Sequence, residues 1–185
     1  MNLARAFMAN PVKPKRSVIF ALWTAEEMGL LGSRYYVQNP TFPIAKTVAY
    51  FNMDMISRPN DAKTIARTAA MFNFPAGKEL FDKIQPADFL SVSFSANAGF
   101  DAIFRNADKS VGLDMYLRES AVGQRPSGGS DHSSFASVDV PWASVIAGMT
   151  EVYHQTSDSV EKVSGDLMAR VSRLIYLAAF EVADR

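Results

Sequence analysis

The 185-residue sequence predicts an α/β fold: three layers, with helices on both faces of a mostly parallel, twisted sheet. Two observations support this. Apolar, β-rich runs bounded by turn residues alternate along the chain with stretches of helical spacing. The clearest of these runs is apolar at consecutive positions, which is the mark of a strand buried on both faces, as parallel strands are.

The elements follow in order. NLARAFMAN at 2–10 has helical spacing and stops at Asn10-Pro11. SVIFALW at 17–23 reads as a first strand buried on both faces, GLLGSRYYVQ at 29–38 as a short helix, and TVAYFNMDM at 47–55 as a second strand. Residues 57–95 mix Pro, Asn and Phe without a sustained period and are expected to form a partly irregular, lid-like insertion. Phe100, Ile103, Phe104 and Ala107 mark one helix face, Gly112 ends that segment, and LDMYL at 113–117 alternates as a strand. QRPSGGS at 124–130 is a loop. VPWASVIA at 140–147 is the last strand, with Pro141 at its start, where proline is tolerated. From Asp166 an amphipathic helix closes the chain, its apolar face made by Leu167, Val171, Leu174, Ile175, Ala178 and Val182.

Composition narrows the function. Apolar residues are 48% and charged residues 21%, the balance of a globular chain rather than a disordered one. Lys plus Arg equals Asp plus Glu at 19 each, so the basic excess of a nucleic-acid or membrane-surface binder is missing. With no cysteine there is no disulfide and no thiolate, and any metal must be held by His and carboxylate. The longest apolar runs, 18–23 and 174–180, fall short of the ~20 residues of a membrane span. MNLARAFMANPVKPKR lacks a signal core and cleavage site, so the chain as written is expected to be neither inserted nor exported.

In open α/β sheets ligands bind beyond the carboxyl ends of the strands. Glu26 and Glu27 follow the first strand, Asp54 ends the second, and Tyr153-His154 lies beyond the last; Ser130-Asp131-His132 follows the Gly-rich loop. Singly, each is commonplace: a Glu pair is usually a solvated turn, an Asp after a strand a turn residue, a His a surface group. Their convergence at one edge is not. Adjacent residues at a strand end point in different directions. One carboxylate of the pair is then available to a metal while its neighbour takes a proton from water, a division zinc hydrolases need because a ligand cannot easily double as the base. Asp54 and His154 complete an oxygen and nitrogen ligand set suited to zinc. Tyr153 either offers its phenol to a developing oxyanion or packs beside the site.

Residues 16–38, RSVIFALWTAEEMGLLGSRYYVQ, resemble the central segment of the two-zinc aminopeptidase family that includes leucyl aminopeptidases and aminopeptidase Y. The resemblance continues, in order and spacing, through AYFNMDMIS, GGSDHSSFASVDVPWASVIAG and EVYHQTSDSVEKV. It implies a zinc-exopeptidase-like fold and a peptide substrate trimmed from its N-terminus. Carried over by position, it implies Glu26 as general acid/base, Glu27 and His154 as ligands of one zinc, Asp54 as a ligand of the other, and Tyr153 as a support for the tetrahedral intermediate. Asp131 and His132 match a motif lining the site, and Ser130 and Arg125 border the substrate pocket. Relatives of this family also include glutamate carboxypeptidase, glutaminyl cyclase and the transferrin-receptor ectodomain. Carboxypeptidase or cyclase chemistry, and a catalytically silent binding role, are therefore alternatives on the same scaffold.

Two ligands of the family pattern have no counterpart in this sequence: a His in an H-x-D segment and an Asp that bridges both zincs. Residues 1–185 are accordingly expected to be one incomplete peptidase domain, its C-terminal portion, without the N-terminal strands. Two zincs ~3.5–4 Å apart need a bridging ligand, so one zinc or none is expected here. An uncovered sheet edge is a route to self-association. Relatives are often periplasmic or secreted, and the compartment of this chain is left open.

Overall fold

The computed structural model describes residues 1–71, 83–124, 126 and 129–185. The longer elements are α1 (Asn2–Ala9), α2 (Leu31–Gln38), β1 (Tyr50–Met53), α3 (Ala62–Met71), β2 (Phe89–Phe94), α4 (Phe100–Asp108), β3 (Asp114–Glu119), α5 (His132–Ala136), β4 (Trp142–Ile146) and α6 (Gly165–Asp184). The four strands form one sheet in the order β1-β4-β2-β3. β1 with β4 and β2 with β3 are parallel, while β2 runs antiparallel to β4. The α/β architecture is therefore as expected, with an antiparallel junction at the sheet centre that the sequence reading did not foresee.

The two faces of the sheet differ in chemistry. On one, Leu90, Val92 and Phe94 of β2 and Ala143 and Val145 of β4 pack against Phe100, Ile103 and Phe104 of α4 and Leu174 and Ala178 of α6. Leu90, Val92, Val145 and Leu174 are wholly buried, each worth about 1.5–3 kcal/mol of apolar transfer. α6 sits over this core because its apolar residues recur at helical spacing, and Ser164 caps its start, its hydroxyl accepting from Leu167 N at 3.2 Å. The opposite face carries a polar row, in which Asn52, Ser144, Ser93 and Arg118 stand side by side across β1, β4, β2 and β3. α5 and α2 pack on the β1 side of this face, Phe135 stacking on Tyr50 with ring centroids 3.8 Å apart beside Val37 and Val140.

Two expectations are corrected. Residues 57–95 are not an insertion throughout: 62–71 is helix, and β2 is a strand in the middle of the sheet with Phe89, Leu90 and Val92 wholly buried. Apolar Leu90, Val92 and Phe94 alternate with Ser91 and Ser93, a period-two signal that the reading missed. Residues 72–82 lie outside the described residues.

The second correction concerns 17–23. This stretch is not a buried strand: Ile19, Phe20 and Leu22 are 51%, 46% and 88% exposed. Arg16 N bonds to Ala183 O at 2.9 Å, Phe20 meets the Phe7 ring, and Trp23 reaches Tyr50, so the stretch is anchored at its two ends. β1 is the end strand of the sheet and pairs with β4 alone among the described strands, so 17–23 has no strand flanking it to supply the two covered faces its composition suits.

These two environments predict different costs for the same truncation. Leu174→Ala should lose about 2–5 kcal/mol in urea unfolding, because it leaves a cavity in the core. Leu22→Ala should change stability by less than about 0.5 kcal/mol. Equal losses would place 17–23 in a buried strand after all.

Candidate metal and catalytic site

The parallel β1–β4 pair sends both chain ends out on one side. The ladder extends past the strands, with Asp54 N bonding to Val145 O at 3.2 Å and Ala147 N to Met55 O at 3.3 Å. Asp54 and the loop bearing Tyr153 and His154 therefore leave the sheet together. That loop is tied down along its start. Asn60 Nδ2 donates to Ala147 O at 2.7 Å, Met149 N to Thr68 Oγ1 at 2.9 Å and Arg67 Nη1 to Thr150 O at 3.2 Å. Gly148 permits this, since a Cβ there would stand 1.8 Å from Asn60 Oδ1.

Glu26 and Glu27 come from the turn before α2. Leu30 N and Gly32 N bond back to the carbonyls of Glu26 and Thr24 at 2.8 and 3.0 Å, winding the turn tightly onto the helix start. Gly32 is required by this winding: a Cβ would lie 2.8 Å from both Thr24 N and Thr24 O. Ala25, Met55 and His154 all hold positive φ, at 53°, 52° and 57°. Left-handed backbone at non-glycine residues is uncommon, and here it falls beside or on three of the four candidate acid and histidine positions.

The result is a contact across 127 residues of chain: His154 Nε2 lies 2.7 Å from Glu27 Oε1. Tyr153 stacks on the His154 ring at 3.7 Å between centroids. Glu26 is held above the ordinary carboxyl range by burial first, then by the charges of Asp54, Glu27 and Asp131, with His154 opposing. Asp54 is raised by burial and by Asp131 and Glu27, against the lowering effect of hydrogen bonds from the Ser130 hydroxyl and Met55 N–H. The Tyr153 phenol is raised by burial and by Glu27, Asp54 and Glu26, which keeps it protonated. Glu26, Glu27, Asp54, Tyr153 and His154 thus share one electrostatic neighbourhood.

The flanking residues are placed differently from expectation. Ser130, expected at the rim of a substrate pocket, is 2% exposed and accepts from Asn52 Nδ2 at 2.9 Å. Asp131 and His132 are also buried, and Asp131 Oδ1 and His132 Nδ1 have no hydrogen-bond partner among the described residues. His132 packs on Trp142 with ring centroids 4.6 Å apart. Burial, and then the charge of Arg118, push its imidazole down to about 4, so it is neutral and stands apart from the Glu27–His154 pair. Arg125 lies outside the described residues. Asn52, which sequence reading passed over, is buried among these groups; its place two residues before Asp54 in one strand, on the same face as Tyr50, was the available signal.

Glu27 and His154 are donors of the kind zinc takes. Among the described residues, however, no group of three or more His, Asp or Glu side chains is disposed to hold a metal ion. The donors fit in kind and fall short in number.

Comparison with known proteins agrees with this architecture. The model of peptidase family M28 matches residues 1–179. The chain belongs to peptidase family M28. Leupeptin-inactivating enzyme 1 of Streptomyces exfoliatus is 28% identical over 166 residues, 89% of this chain and 30% of that protein. A probable leucine aminopeptidase 2 of Aspergillus fumigatus is 36% identical over 124 residues, 60% of this chain and 25% of that protein. The fold is that of the LapA aminopeptidase of Legionella pneumophila, with a TM-score of 0.71 and 22% identity over 99% of this chain and 43% of that one. This M28 chain spans between a quarter and a third of these curated relatives.

The buried imidazole has a consequence for acid stability. His132 refuses a proton in the folded state down to about pH 4, while the unfolded chain accepts one near 6.5. Stability is therefore lost as pH falls through that window, by about 1.4 kcal/mol per pH unit. Glu26 and Asp54, raised in the folded state, act in the opposite sense. Urea unfolding at pH 7 and pH 5 should show a larger acid loss for the parent chain than for His132→Gln. An equal loss in both would mean His132 is protonated in the fold.

Proposed function

We propose that this chain carries the base and part of the metal-ligand set of a metal-dependent aminopeptidase that removes N-terminal residues from peptides. The observation that carries the reading is the Glu27–His154 contact with the adjacent Glu26 left out of it. Leucine aminopeptidases among the M28 relatives support the reaction class, and the zinc aminopeptidase of Bacillus subtilis, of similar fold, supports the metal. Glu27 and His154 would hold one zinc, and Asp54, the residue after β1, would serve as a further donor. Zinc bound there would polarise the scissile carbonyl and acidify water.

The remaining steps fall to the chain's own residues. Glu26, free of the Glu27–His154 pair, takes the proton of the attacking water as the bond to the scissile carbon forms. It returns that proton to the amine as the C–N bond breaks. Its raised pKa suits both halves of this exchange, since a carboxyl shifted toward neutrality holds the proton better between the two steps. Tyr153, kept protonated by burial and by its acidic neighbours, donates its O–H to the oxyanion of the tetrahedral intermediate.

The roles of Glu26 and Glu27 separate under substitution. With zinc supplied and leucine 4-nitroanilide as substrate, Glu26→Gln should lower kcat/KM by at least about a hundredfold while bound zinc is unchanged. Loss of zinc together with activity would make Glu26 a ligand and reverse the two assignments.

A further inference from the structure

His154 stands in a segment that packing does little to hold. From Glu151 to Val163 the chain forms turns and one short 3-10 stretch, and Val152 is its one buried residue. Val160 and Val163, the other aliphatic residues there, are 76% and 40% exposed. The shape of the segment comes instead from successive turn bonds: Tyr153 N to Thr150 O at 3.1 Å, Gln155 N to Val152 O at 2.9 Å and Asp158 N to Gln155 O at 3.0 Å. A string of turns lies where its two ends are fixed. Before His154, Arg67 Nη1 holds Thr150 O at 3.2 Å. After it, the tie is Arg58, whose Nη2 donates to the Asp158 carboxylate and, at 2.7 Å, to Ser159 O. Beside Arg58, Ser57 O accepts from Ser164 N at 2.8 Å.

We infer that Arg58 is a positioning residue for His154, fastening the far end of its turn segment to the stretch that follows β1 and Asp54. Three observations favour this over a merely stabilising ion pair. Arg58 stands on a fixed base, since Ala147 N bonds to Met55 O at 3.3 Å and Asn60 Nδ2 to Ala147 O at 2.7 Å. The chain on both sides of it is thereby tied to the end of β4. Its side chain is 12% exposed, so the pair with Asp158 escapes much of the screening that weakens surface ion pairs. Finally, Nη1 is buried with no hydrogen-bond partner among the described residues, and a buried guanidinium matched only in part is a poor source of stability. One nitrogen that bridges a side-chain carboxylate and the next residue's carbonyl instead fixes where the chain passes at 158–159. The inference takes its functional meaning from the reading of His154 as a zinc ligand, but the positioning can be measured without metal.

The chain has 2 histidines, which makes the test selective. With isotope-labelled histidine, NMR of the whole chain in EDTA reads the ring signals of His154 and His132 side by side. The Tyr153 ring stacked on His154 displaces the first from its position in the urea-unfolded chain. The second reports the buried surroundings of Trp142. At about pH 8.5, above the ordinary histidine range, protonation does not contribute. Arg58→Gln should move the His154 signal toward its unfolded position and leave that of His132 in place. Asp158→Ala removes the acceptor at a half-exposed residue and should do the same; it serves alone if Arg58→Gln does not fold. A His154 signal unmoved in either folded variant, or moved together with that of His132, would overturn the inference. So would a parent His154 signal already at its unfolded position. Zinc titration of the parent chain decides the reading of the site separately: no bound zinc would remove His154 from the ligand role and leave the positioning as measured.

Discussion

The parallel pairing of β1 with β4 is the constraint on which the site depends. Parallel strands end on the same side, so Asp54 and the loop to His154 are delivered together without any further device. The register adds a second effect. It sets Asn52 beside Ser144 and Tyr50 beside Trp142 on the face covered by α5, while Phe51, Ala143 and Val145 serve the apolar core on the other. A slip of one residue would exchange these faces, burying Asn52 in the apolar core and turning Phe51 toward Ser130. The same pairing therefore secures both the stability of the sheet and the polar support beneath the site.

Charge is the second organising feature. Asp54, Glu27 and Asp131 raise the proton affinity of Glu26, Asp131 and Glu27 raise that of Asp54, and His154 is the group of opposite tendency that the Glu26 carboxyl senses. Such a cluster favours whatever brings positive charge into it, whether a proton or a metal ion. Contact with Glu27 draws His154 into this field, and the left-handed backbone at Ala25, Met55 and His154 aims the three segments at one another. Strain of this kind persists where surrounding bonds over-determine it, and the ties from Asn60, Thr68 and Gly32 supply those bonds.

Much of this was legible in the sequence. β1, β3, β4, α1, α2, α4 and α6 lie where runs and periods put them, because in each the apolar pattern matches the face that is covered. Strand ends account for Asp54 and the loop to His154, whereas Glu26 and Glu27 come from the turn before α2 and not from a strand end. What escaped has physical reasons. β2 is interrupted by Ser91 and Ser93, whose hydroxyl side chains belong to the polar face of the sheet rather than to solvent. The stretch 17–23 has strand composition, yet composition states only what a segment is suited to, and the described sheet supplies no strand on either side of it. Ser130 and His132 sit in a motif that looks like a pocket lining, but whether such a residue faces substrate or supports its neighbour from beneath depends on the path of the loop, which spacing does not encode.

The central claim is that Glu27 and His154 are one metal-binding pair assembled by the fold. An equilibrium zinc titration of the chain and of His154→Ala tests it most directly. The account predicts that the chain binds one zinc and that His154→Ala loses it, with the apolar core still folded. Zinc binding that is absent in the parent chain, or unchanged in His154→Ala, would contradict it.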